Sequence, residues 1–135
     1  MRLTALSLIE PLPPQDFAGE ILMLSGFVRD DIRYVGDVYG VETLHTPEAI
    51  LEIGQGDCDD KALLLASLLM SIGRKCQFCV LERDGAFCHV WTMVYFGGRW
   101  IDLETTIPIA CGQHAQLRFG DRRHYWPIKA YDYAG

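Results

Sequence analysis

The sequence has no apolar run long enough to cross a bilayer. Its longest, Ala62–Ile72, contains a serine and falls well short of the ~20 residues a membrane helix needs. Nor does its start read as a secretory leader. Arg2 and a short apolar stretch are broken by Glu10 and Pro11, and no small-residue cleavage pattern follows, so no signal peptide is expected. Positive charge is in deficit, with 12 Lys+Arg against 18 Asp+Glu and a net charge of −6. Such a chain has no global field to draw in nucleic acid or an anionic membrane, and neither is expected as a main partner. There is no internal repeat and no linker-like shift in composition. Half of the residues are hydrophobic, with 13 Gly and 6 Pro, which excludes a disordered or collagen-like chain. The 135 residues fit a single domain, 1–135, with a core of its own.

An even set of cysteines is missing too. There are five, Cys58, Cys76, Cys79, Cys88 and Cys111. Without a leader, an odd number points to reduced thiols in a cytoplasmic setting. Cys76-x-x-Cys79 and Cys111-x-x-His114 have spacings that a zinc site could use. The segment Lys75–Glu82, however, alternates like a strand, and strand positions three apart point to opposite faces. Small buried thiols are the expected reading, with no metal and no other cofactor.

Residues 1–13 look irregular and run into Pro11, Pro13 and Pro14. From Gln15 to Asp31, Phe17, Ile21, Leu24 and Val28 recur at helical spacing. Thr46-Pro47-Glu48 reads as a helix start, with Thr as N-cap and Pro at the first position; that helix stops at Gly54-Gln55-Gly56. A further helix opens at Asp57, carries Asp60 three residues on, and ends at Gly73. Between them Ala62–Met70 is apolar nearly all round, the mark of a helix in the middle of a fold. After Gly73 the period changes from 3.6 to 2. Residues 75–83, 87–96 and 99–105 read as strands, with Asp84-Gly85 and Gly97-Gly98 as hairpin turns. A further hairpin is expected over 116–119 and 124–128, around Gly120-Asp121. Helices first and an antiparallel meander afterwards make an α+β fold, a central buried helix packed on an antiparallel sheet.

Cys58 then falls at the start of the buried helix, where backbone N–H groups are unpartnered and the helix dipole is positive. Both favour a thiolate, while Asp57, Asp59 and Asp60 oppose it, so the sulfur needs an ion-pair partner. His89, in Cys88-His-Val-Trp91, is the best placed base. His45 lies in a loop, and His114 and His124 lie in the less regular C-terminal third. The orienting acid follows from register. If Gly97-Gly98 closes a two-residue turn, Phe96 pairs with Arg99, and Glu104 lies one diagonal step from His89 on the same face. Asp102 shares that face but sits about 13 Å away along the strand at ~3.3 Å per residue. The Asp57/Asp59/Asp60 cluster reads as capping charge rather than a cation site. Arg118, Arg122, Arg123 and His124 read as a solvated hairpin, and Trp91 and Trp100 as core aromatics.

The blocks Gln55-Gly-Asp-Cys-Asp-Asp-Lys-Ala62, His89-Val-Trp91 and Trp100-Ile-Asp-Leu-Glu-Thr-Thr106, in that order, resemble the core of the transglutaminase-like superfamily over about residues 30–107. Ile32-Arg-Tyr34 and Thr46-Pro-Glu48 are similar to its lead-in region. The resemblance implies a minimal papain-like fold, with Cys58 as nucleophile, His89 as base and Glu104 as the orienting acid. The superfamily's acid is usually Asp followed by Pro-Thr; here it is Glu104 followed by Thr-Thr, which keeps Asp102 as an understudy. The style of the motifs is similar to small bacterial or phage-encoded members.

The chemistry so implied is acyl transfer through a thioester on a protein or peptide substrate. The leading expectation is a cysteine peptidase or amidase. A transglutaminase that passes the acyl group to an amine is one alternative, and a non-catalytic protein-binding module on the same scaffold is another. The backbone N–H of Cys58 is one oxyanion donor by geometry, and Gln55 is a weaker candidate for a second.

Overall fold

The computed structural model describes residues 1–36, 45–106 and 117–129. Among these residues four helices, α1 (Arg2–Ile9), α2 (Phe17–Asp31), α3 (Pro47–Ile53) and α4 (Cys58–Ser71), accompany two sheets. The smaller sheet pairs two-residue parallel strands, β1 (Arg33–Tyr34) and β2 (Gln55–Gly56). The larger is antiparallel, in the order β5 (Arg99–Leu103), β4 (Ala86–Phe96), β3 (Cys76–Arg83), β6 (Arg122–Pro127). The α+β class expected from the sequence is the class observed.

The α4 helix is the element the others pack around. Leu64, Leu65, Leu68 and Leu69 are fully buried, and they join Leu24 and Val28 of α2, Ile50 of α3, and Cys76, Val94 and Leu103 of the sheet in one core. A second, smaller cluster of Cys79, Leu81, Trp91 and Met93 lies on the other side of β3 and β4. Cys76 and Cys79 therefore belong to different cores, as their spacing in a strand requires. Burial pushes the Cys76 thiol up to about 12. Cys111 and His114 lie outside the described residues.

Local signals place most boundaries. Thr46 caps α3 by accepting from Ala49 N, and Gly54, at φ 76°, closes it in the left-handed region. Asp84-Gly85 and Gly97-Gly98 both have positive φ at the two central turn positions, which suits two-residue hairpins. Phe96 pairs with Arg99 as the register argument requires.

Two expectations are corrected. The segment expected to be irregular before the proline cluster contains α1, whose Ala5 is fully buried in the main core. Leu3 and Leu6 stay exposed, so α1 has little amphipathic signature and is held by packing against α2 and α4. The further hairpin expected around Gly120-Asp121 is absent among the described residues. Residues 118–121 form a turn closed by Asp121, and the strand after it runs to the far edge of the sheet and pairs with β3. Aromatic alternation in this strand marks a strand but does not name its neighbour.

Two buried polar groups tie α4 in place. Thr92 of β4 donates to the Ala62 carbonyl at 2.7 Å. The ammonium of Lys61, 1% exposed, donates to the carbonyls of Ile32 (2.7 Å) and Arg29 (3.2 Å) at the end of α2. Burial lowers the Lys61 pKa, against the pull of Asp30 and Glu104. Truncating either partner leaves carbonyls stranded in the core. Lys61→Met is expected to cost about 2–4 kcal/mol and Thr92→Val about 1–2 kcal/mol, read as shifts of the urea midpoint at unchanged slope.

Candidate active site

The first turn of α4 presents a sulfur at the edge of the core. Asp57 accepts from Asp60 N at 2.9 Å, and the Asp60 carboxylate accepts in return from Asp57 N at 3.2 Å. This reciprocal box satisfies the N-cap and third N–H groups of a helix that is otherwise apolar. His45 Nδ1 lies 3.3 Å from the same Asp60 carboxylate. Burial, followed by the charge of Asp57, raises the Asp60 pKa against the hydrogen bonds it accepts. Gly56 is buried against this turn. A Cβ there would come within 2.6 Å of Asp60 Cβ, which explains the glycine in Gly56-Asp57-Cys58. Cys58 is the first residue of α4 and half-buried, with its sulfur 3.9 Å from Asp59 Oδ1. Its backbone N–H is among the first of α4, which have no acceptor within the helix. Gln55 is exposed, paired in β2 with Arg33, and does not line the cleft described below.

Opposite that turn, β4 runs on beyond β5, whose last pair is Thr92 with Leu103. The β3–β4 ladder slips between Leu81 and Glu82, so that Leu81 faces His89, Glu82 faces Phe87, and Cys88 is the extra residue of a bulge. Phe87, Cys88, His89 and Val90, four residues in succession, line one cleft of about 390 Å³ with Cys58, Asp59, Val80 and Trp126. Strict alternation would send half of them to the other face; the bulge re-aims them.

His89 joins the two halves of the site. Its Nε2 is 2.6 Å from Glu104 Oε2, and its ring lines the same cleft as Cys58. Burial alone would lower the His89 pKa. The hydrogen bonds to Cys58 and Glu104, and the negative charge on both, override it and raise the pKa to about 10. The Glu104 side chain is fully buried. Its Oε1 accepts from Thr105 N (3.1 Å), Thr106 N (3.1 Å) and Thr106 Oγ1 (2.7 Å). Burial works to raise its pKa, but His89 and Thr106 together hold it below the usual carboxylate range.

Asp102 is engaged elsewhere. Its Oδ1 accepts from Trp91 Nε1 (2.8 Å) and from Arg123 Nη2 (2.8 Å), on the second core cluster. Arg123 is thereby no part of a solvated hairpin: its guanidinium also lies 5.4 Å from the Trp91 ring and 3.4 Å from Cys79 Sγ. His124 pairs with Glu82 at 3.2 Å. Three contributors escaped the sequence reading. Lys61 was legible in principle, as a charge opening an all-apolar helix that had to find partners. Phe87 and Trp126 had no such signal, since the bulge and the β3–β6 pairing that aim them are tertiary features.

Residues 11–105 match the family described as the Transglutaminase-like superfamily, and the chain belongs to it. The match begins earlier than the resemblance at residues 30–107 and takes in all of α2. Among solved structures, the fold is similar to a "putative cysteine protease" of Cytophaga hutchinsonii, at a TM-score of 0.63 and 16% identity over 78% of this chain and 36% of that one. It is also similar to a "putative protease" of Parabacteroides distasonis, at a TM-score of 0.66 and 12% identity over 78% of this chain and 23% of that one. The chain thus spans little more than a third of one neighbour and under a quarter of the other. A comparison with curated proteins finds no match. Among the described residues, no helix is long and apolar enough to cross a membrane.

The two shifted groups give the site a pH signature. His89 holds its proton more tightly folded than unfolded, so its contribution is complete below its ordinary value of 6.5 and is lost as pH rises towards about 10. Glu104 is displaced the opposite way: its contribution is complete above 4.5 and is lost as pH falls through its lowered value. The pair therefore stabilises fully only between about 4.5 and 6.5. The urea-midpoint gap between the protein and His89→Gln is expected to be widest in that window and to close by about pH 10.

Proposed function

We propose that the protein is a cysteine-nucleophile acyl-transfer enzyme, a transglutaminase-like cysteine peptidase or amidase acting on peptide or carboxamide bonds. The observation that carries this reading is the imidazole of His89, hydrogen-bonded to the buried Glu104 carboxylate and lining one cleft with Cys58. An imidazolium lining the same cleft as Cys58 is the ion-pair partner that a thiolate, the reactive form of a cysteine nucleophile, requires.

In the proposed reaction the Cys58 thiolate adds to the substrate carbonyl. The negative charge moves to the carbonyl oxygen, against the N–H of Cys58 at the start of α4. Collapse of this adduct breaks the C–N bond. The departing amine takes the proton from the ring nitrogen facing the sulfur, leaving a thioester on Cys58 and a neutral imidazole. That imidazole then removes a proton from water as it attacks the thioester, releasing a carboxylic acid and restoring the ion pair. Glu104 stays ionised throughout, fixing the ring through Nε2 and stabilising its charge. No step calls on a cofactor.

Iodoacetamide alkylation across pH tests the pair directly. Cys58 is expected to be modified selectively well below about pH 8, with His89→Ala removing that reactivity and uniform slow labelling of all thiols overturning the reading. Glu104→Gln is expected to suppress it on the order of 10²-fold, while Asp102→Asn leaves it nearly intact; the reverse order would transfer the orienting role to Asp102. Hydrolysis of a peptide-carboxamide panel is expected to fall by on the order of 10³-fold or more in Cys58→Ala. A labelled primary amine offered alongside should enter product less readily than water does; dominant amine incorporation would make the protein a transglutaminase instead.

A further inference from the structure

The cleft that holds Cys58 and His89 continues into a site with a different chemical character. Its floor is Val80 of β3 and Val90 of β4. Its wall is a pair of aromatic rings, Phe87 beside the β4 bulge and Trp126 on β6, with centroids 5.6 Å apart and planes at 89°. Both rings are costly to leave in water, yet Phe87 is 59% exposed and Trp126 49%. The His124 ring braces Phe87 from the side at 5.5 Å, edge to face, and is itself anchored by Glu82. Among the described residues, the acidic side chain that lines the cleft is Asp59, at its α4 end. An apolar concavity with exposed aromatic walls, opening directly onto a reactive pair, has the composition of a ligand pocket. Its volume of about 390 Å³ is at the small end for such sites, sufficient for one large side chain with its peptide group and too small for a long segment.

We infer that Val80, Val90, Phe87 and Trp126 form a specificity subsite that takes an uncharged aromatic side chain within two residues of the reacting carbonyl. This deepens the acyl-transfer reading and rests on it for the identity of the reacting carbonyl. An aromatic ring entering the cleft covers the exposed faces of Phe87 and Trp126 and excludes water from the apolar floor. An acidic side chain there loses its hydration against Val80 and Val90 and meets the carboxylate of Asp59, in a chain already carrying −6. The substrate class is therefore an aromatic-bearing, non-acidic peptide amide.

The test compares peptide amides that differ only in having Phe, Ala or Glu at each of the two positions on either side of the bond. At one of these positions kcat/KM is expected to rank Phe above Ala by about 10-fold or more, with Glu lowest. Trp126→Ala is expected to bring the Phe-to-Ala ratio within about 3-fold, whereas Trp126→Phe keeps most of it. A second arm needs no turnover: binding of the Phe and Ala peptides to Cys58→Ala, followed by NMR chemical-shift titration, is expected to show the same preference, lost in Cys58→Ala/Trp126→Ala. Turnover that depends on Cys58 but ignores both the Phe substitution and Trp126→Ala overturns the subsite and leaves the acyl-transfer reading standing. Absence of turnover together with a Trp126-dependent binding preference does the opposite. No preference in either arm overturns the subsite.

Discussion

A helix that is apolar all round can be buried only if its polar ends are provided for, and α4 is built around that constraint. Its first N–H groups cannot be left in the core unsatisfied, so its N-terminus has to emerge at a surface and carry its own acceptors. The Asp57–Asp60 box meets the demand within four residues. Gly56 lets that turn approach β2 closely, and Lys61 donates to the Arg29 and Ile32 carbonyls at the end of α2. Cys58 is the residue left between these fixtures. Its position is a consequence of burying the helix, before any chemistry is considered.

The sheet supplies the complement. Because β5 ends at Leu103 while β4 continues, the end of β4 is open to the turn that begins α4, and the bulge at Cys88 aims it into the cleft. His89 there faces two opposed influences. Partial burial favours the neutral ring, while a sulfur on one side and a carboxylate on the other favour the charged one, and the second influence prevails. The balance depends on Glu104 being ionised in a fully buried place, which would be prohibitive for a carboxylate without partners. Three donors on Oε1 and the imidazole on Oε2 satisfy it.

Much of this was legible in the residues, for reasons that can be named. Caps, helix stops and two-residue turns depend on local backbone chemistry, and Asp57, Thr46, Gly54 and Gly97-Gly98 all act where the sequence places them. The register of the β4–β5 hairpin follows from its turn, and with it the choice of Glu104 over Asp102 as the carboxylate beside His89. What the sequence did not show depends on contacts distant along the chain. The α1 helix is held by its neighbours rather than by its own periodicity. The last strand reads as a strand, but only the fold says that it pairs with β3 and carries Trp126 to the cleft. Arg123 resembles a surface charge until Asp102 and Trp91 are seen beneath it.

The departure from the superfamily's usual Asp-Pro-Thr is itself explicable. Glutamate is one methylene longer than aspartate, and its extra reach must be taken up if the carboxylate is to remain pointed at the imidazole. Here Oε1 folds back over the following backbone and accepts from the N–H groups of both Thr105 and Thr106. Proline has no N–H to give, so restoring the superfamily's residue by Thr105→Pro would strip Glu104 of one of the donors that hold it. Thr105 provides that donor, and the hydroxyl of Thr106 adds the shortest bond to Oε1. Glu104 and Thr105 thus work as a coupled replacement: the longer acid is held in place because the proline is absent.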